Sequence, residues 1–199
     1  AALIALAFLA EQAGAQTTTA AAAPLSPNHA PGFNQRLPGS RIVIVQTDMD
    51  LYSQSAGGVM EPRADWTASA QKHFRAAVMA QTKVVGDNTL ELQEKDLDEL
   101  AQLNALHGAV ADAVFTHHML RAPQLPTKEG VLDWTLGEAV QPLGERTGAD
   151  YALFFWIRDS YASAERKVAM VALAILGVGI SGGSQVGYAS LVDLRSGRV

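Results

Sequence analysis

The residues of this 199-residue chain that could do chemistry crowd into one glycine-rich stretch. Gly177, Gly179 and Gly182 satisfy GxGxxG, the pattern whose glycines let a backbone approach a pyrophosphate at a helix N-terminus. Residues 185–194, however, alternate like a strand where the pattern needs a helix, and Asp193 comes too early for the ribose-binding acid. No dinucleotide is therefore expected. Gly179, Ser181 and Gly183 also satisfy GxSxG, the elbow that exposes a serine nucleophile after a strand. Its acid and its histidine should follow in the chain, yet no histidine follows His118, so Ser181 would need an upstream base. A periplasmic hydrolase using Ser181 stays open as the alternative function.

Carboxylates offer a second form of that alternative. Asp48 and Asp50, two apart in an extended segment, would share one face and could act as an acid/base pair or hold a cation. Asp150, Asp159 and Asp193 flank later strand segments, where aspartate more often forms turns. His107 and His118 stand eleven residues apart, about 16 Å along a helix, too far to share a metal, and His117 and His118 point about 100° apart. The chain has no HExxH and no cysteine. Neither a metal nor another cofactor is expected, and disulfides, thiolate sites and cysteine nucleophiles are excluded. The histidines read as packed or hydrogen-bonded helix residues.

Hydrophobic residues make up 48% of the chain, charged residues 18%, and the formal charge is −5. That composition suits one packed domain, and the missing basic stripe excludes nucleic acid as an expected partner. Residues 1–10, AALIALAFLA, are an uncharged apolar run followed by Ala13-Gly14-Ala15, which reads as a partial signal peptide over 1–15. Export follows, to the periplasm or to association with the outer membrane. Residues 16–38, rich in Thr, Ala and Pro, read as a flexible linker. A single domain then occupies 39–199. A turn at 195–198 looks like the start of a hairpin, so the domain is expected to run on past Val199.

Residues 41–45 are a β-branched run suited to a buried first strand, and Gly57-Gly58 marks a loop. Trp66 and Phe74 anchor a helical pattern with Asp65 as its N-cap, and 89–93 alternate like an edge strand. The longest helical pattern spans 94–119, with Leu97, Leu100, Val110, Val114 and Phe115 on one side. A third helix is expected from 133 toward Gly148, kinked or broken at Pro142. Residues 151–157 are apolar on both faces, a buried strand, and 185–194 alternate as another. The order predicts an α/β fold, an α+β sandwich in which one mixed, largely antiparallel sheet packs with about three helices.

Residues 168–192 carry no charge at all. Their first part is strongly apolar but too short for a bilayer-spanning helix. It reads either as buried core or as an exposed element that meets a membrane or another subunit. The functional expectation takes the second reading, with Val171, Leu173, Ile175, Leu176 and Ile180 as the interaction residues and a protein partner, self-association or a membrane as the counterpart.

Three stretches carry a family likeness: residues 56–67 (AGGVMEPRADWT), 148–166 (GADYALFFWIRDSYASAER) and 185–199 (QVGYASLVDLRSGRV). On these the chain resembles an uncharacterised group of proteobacterial exported proteins. The strand, the excursion and the strand ending in VDLRSG are similar, more loosely, to the periplasmic domain shared by the curli secretion channel CsgG and penicillin-binding-protein activator lipoproteins. That resemblance implies a non-enzymatic envelope protein acting through contacts, with 164–184 in the place where the curli channel forms its pore. Those relatives are lipoproteins, and this chain has no cysteine to acylate.

Overall fold

The computed structural model describes residues 28–33, 35–81, 85, 86, 88–92, 97–120, 123 and 125–199. The expected signal peptide and most of the expected linker, 1–27, lie outside the described residues. The β-branched run Ile42–Ile44 forms β1, with all three residues buried. The same edge continues as β2 (Asp48–Gln54), in which alternate residues Met49, Leu51 and Ser53 are buried. Both run parallel to one side of β5 (Tyr151–Ala162), with Ile44 opposite Leu153 and Asp48 opposite Trp156. β1 and β2 thus behave as one strand interrupted by a single extra residue, which re-aims the side chains beyond it.

β3 (Met60–Pro62) folds back antiparallel on β2, and β4 (Thr89–Glu91) runs parallel to β1 at the edge. β6 (Gly183–Asp193) pairs antiparallel with β5 along eleven residues. The α/β class with a mixed sheet is therefore as expected. Its ladders lean further toward parallel than the alternating C-terminal residues suggest, three of five, because β5 inserts beside the early strands in their own direction.

Among the described residues four α-helices accompany this sheet: α1 (Ala64–Ala80), α2 (Leu97–Val114), α3 (Gln141–Thr147) and α4 (Ala164–Ile175). α2 continues into a π-helical turn, Phe115–Met119. Neighbouring residues of β5 point to opposite faces, so Phe154 stacks on His107 of α2 while Phe155 meets Phe74 of α1 edge-on. The α2 face carries the core: Val43, Val45, Leu103, Val140, Leu143, Ala152, Phe154 and Val192 lie in one buried cluster. The α1 face is thinner. None of the seventeen residues of α1 is buried, although Trp66 and Phe74 do anchor it as expected.

Three local expectations are corrected. Arg63, not Asp65, occupies the N-cap of α1; Asp65 sits inside the first turn, held by the Arg63 guanidinium at 2.8 Å, which lowers its carboxyl pKa. Residues 133–136 are not helical. Thr135 bridges Arg198 instead, and Pro142 sits in the first turn of α3, where its missing N–H costs nothing. The acidic start expected for the long helix, 94–99, falls where side chains lie outside the described residues.

Candidate interaction surface

At one end of the sheet, β5 leads into α4, and the chain returns through residues 176–182 to β6. Ser163 caps α4 by accepting the Arg166 N–H at 3.1 Å, the reason the helix begins where it does. Hydrogen bonds from its own backbone N–H and the Ser163 hydroxyl hold the Glu165 carboxyl below its usual pKa. Gly177, at φ 77°, ends the helix: its N–H reaches Ala174 O and the Val178 N–H reaches Leu173 O. This paired closure satisfies carbonyls that a helix end usually leaves bare.

α4 buries only Arg166. Val168 is 70% exposed, Val171 65%, Ile175 81%, Leu176 76% and Val178 48%. Of the expected interaction residues, Val171, Ile175 and Leu176 are thus fully presented. Leu173 and Ile180 are half-buried. The segment is exposed and lies outside the core, so the buried-core reading does not hold. It stays out of the core because the β5–β6 ladder is complete up to Tyr161 and Gly183, so the residues between them project beyond the sheet.

A second loop shares this end. The β2–β3 turn closes through Ser55 N–H to Val59 O and Gly58 N–H to Ser55 O, each 2.9 Å, and exposes Val59 and Met60. Arg166 ties the two loops together: its Nε donates to Ser181 O at 2.8 Å and its Nη1 to Ser55 O at 3.2 Å. Below them lie exposed Tyr161, edge-on to Trp66, and the Arg63 guanidinium 4.2 Å over the Trp66 ring. Sequence reasoning missed Val59, Met60 and Arg166. Apolar residues directly after Gly57-Gly58 were the available signal for the first two.

The residues that could do chemistry are placed elsewhere or engaged. Asp48 and Asp50 do share a face of an extended strand, and Arg158 lies between them, with Nη1 2.8 Å from Asp48 and Nε 3.4 Å from Asp50. That single guanidinium balances one of the two negative charges, and it also lies over Trp156. The Ser181 hydroxyl donates to Gly183 O and accepts its N–H, a tight local turn. A strand follows Gly182, as the reading of GxGxxG required. Asp193 caps the Arg195 N–H, Asp150 accepts from the Arg41 N–H, and buried Asp159 accepts from Tyr161 and Gln185. The bond to Asp159 raises the Tyr161 pKa.

His107 is buried and, among the described residues, has no hydrogen-bond partner on either ring nitrogen, whereas His117 meets Pro123 O at 2.9 Å. Among the described residues no three acidic or histidine side chains are placed to hold a metal ion, and no helix is long and apolar enough to cross a membrane. A cavity of about 410 Å³ lies between residues 28–33 and β6, lined by apolar Val114, Met119, Leu132, Leu191 and Val199. His29, Tyr188, Asp193 and Arg198 also border it. No protein-family model matches this chain, and neither does any curated protein or solved structure.

Proposed function

We propose that this protein is an exported, non-enzymatic interaction module of the bacterial cell envelope, which associates through the apolar end formed by residues 164–184. The observation that carries the reading is the outward row of Val168, Val171 and Ile175, continued by Leu176, on a helix that buries a single residue. Scattered surface apolar residues are ordinary, but a contiguous row at i, i+3 and i+7 marks a contact surface. The signal-peptide pattern of 1–15 supports export, and the resemblance to periplasmic domains of envelope lipoproteins supports action by contact. Ser181 is engaged in a local turn and Asp48 and Asp50 share one Arg158 guanidinium, which does not favour the catalytic reading.

The test is cell fractionation and native sizing of the full-length protein beside a variant carrying Val171→Asp and Ile175→Asp. Both sites are exposed, so circular dichroism and the melting temperature should stay close to wild type. The wild type is expected in a membrane fraction or a larger assembly, and the variant free. A variant that fractionates like wild type would sink the proposal.

A further inference from the structure

The apolar end has two properties that a protein-binding surface rarely combines. From Val168 to Ile180 no side chain carries a charge, hydroxyl, amide or ring nitrogen. Protein interfaces carry about one hydrogen bond per 100–200 Å², which gives them register, and this surface offers no side chain to make one. The backbone has also withdrawn part of its polarity: Gly177 and Val178 close the Ala174 and Leu173 carbonyls, as a hydrocarbon environment demands and water does not.

The surroundings change abruptly at the base of this end. Tyr161 and Trp66 stand there with the Arg63 guanidinium, and Glu165 and Lys167 are exposed in the first turn of α4. Amphipathic aromatic rings beside charged groups, under a wholly apolar tip, reproduce the layering of a bilayer interface. Arg166 holds the Val59–Met60 loop to the same end, so two apolar loops advance together. The twelve residues of α4 reach about 18 Å, roughly half a hydrocarbon core, enough to seat in one leaflet and not to cross.

Resting on the contact surface proposed above, we infer that its occupant is the lipid of a membrane surface, and that charge attraction plays no part. The charges at the base are of both signs, exposed Glu61, Asp65 and Glu165 against half-buried Arg63 and exposed Lys167. They give no basic patch to draw anionic headgroups. Burial of Val59, Met60, Val168, Val171, Ile175 and Leu176 drives the binding, so neutral lipid suffices.

The experiment uses the purified protein and vesicles of phosphatidylcholine alone. The chain has no cysteine, so Ala174→Cys provides a single site for an environment-sensitive fluorophore on the exposed side of α4. Wild type is expected to float with the vesicles at low and at high salt, with the fluorophore shifting to the blue. Val171→Asp with Ile175→Asp should lower the partition coefficient about tenfold or more. Val171→Gln with Ile175→Gln serves as a second pair should the aspartates disturb folding. Both variants keep residues 1–10, so flotation carried by that apolar run would persist in them and overturn the inference. It is overturned equally if wild type ignores the vesicles, or if the fluorophore is shielded without lipid in an assembly of copies. Loss of association in cells by the aspartate variant, together with no vesicle binding by wild type, would leave the contact surface standing and remove the lipid.

Discussion

At pH 7 the His107 ring is neutral, because burial pushes its pKa down to about 4 and the Asp48 carboxylate restores only part of the loss. The ring packs as a flat apolar plate, its centroid 4.3 Å from that of Phe154 and 13° from parallel. A folded-state value below the unfolded one means that stability is full above about pH 6.5 and falls as pH drops toward 4, by about 3 kcal/mol in all. His107→Leu keeps the volume and removes two unpartnered nitrogens. Denaturant unfolding should therefore show the variant within about 1 kcal/mol of wild type at pH 7 and clearly the more stable at pH 4.5. Equal slopes of stability against pH in the two proteins would refute the assignment. The sequence left His107 as a packed or hydrogen-bonded helix residue, so a packed ring was legible; which of the two holds was not, since this depends on what crosses above the helix.

Asp48 argues the same way from the opposite charge. Arg158 reaches it from the next strand, and Gly108 of α2 passes so close that a Cβ there would stand 2.7 Å from Asp48 Oδ2. Replacing Arg158 by Gln leaves a half-buried carboxylate without its cation, which should cost about 1–2 kcal/mol. Adding Asp48→Asn should recover part of that loss, and a double-mutant cycle with additive effects would show that the pair is not coupled. From the spacing of Asp48 and Asp50 their shared face was readable. Their partner lies more than a hundred residues away, and only strand register brings it between them.

Among the elements, the β5–α4–β6 unit sets the character of the protein, and its turns are where single residues decide. Gly183 has φ 142°, and a Cβ there would lie 2.0 Å from Ser160 O. Gly183→Ala should cost about 2–4 kcal/mol, through both the strained backbone and the clash with a paired strand. Gly179→Ala, with open space around it and no left-handed φ, should change stability by less than about 0.5 kcal/mol. Matching unfolding midpoints for the two would contradict this geometry. Both glycines belong to the GxGxxG/GxSxG stretch, yet backbone geometry, not chemistry, explains the one that matters.

This unit also shows how far periodicity carries. β5 announces itself by a continuous apolar run, β6 by alternation, and α1 and α2 by helical spacing of their apolar residues. β3 does not, because all three of its residues are exposed and only its pairing with β2 makes it a strand. Residues 133–136 mislead for a related reason: Trp134 and Leu136 suit a helix, but the Thr135 bridge to Arg198 and the Leu136 N–H to Gly197 O bond hold the segment against the C-terminal residues instead. Long-range pairing overrode local preference there. In 168–180 the apolar character was plain, but whether it faced inward required knowing that the β5–β6 ladder closes without it.

Taken as a whole, the molecule separates its stability from its contact surface. The buried cluster lies between the sheet and α2 with α3, and no residue of the tip, 163–182, contributes to it. What joins the tip to the body is mainly the Arg166 Nη1 to Ser55 O bond and the Ser163 N–H to Gln54 O bond. The ladder itself ends on the Ala162 N–H to Gly182 O bond at 2.7 Å, the kind of closing pair from which a two-residue hairpin can spring. Replacing residues 163–181 by Asn-Gly should therefore give a folded domain. Its loss of stability should stay at about 1–3 kcal/mol, the Arg166 bond and one helix cap, because no core side chain is removed. The shortened protein should keep the near-ultraviolet signal of Trp156 packed against Phe115 and Tyr188. It should also lose vesicle binding and membrane fractionation together. A shortened chain that unfolds would show that the tip supports the fold, whereas one that folds and still associates would move the contact surface to another part of the molecule.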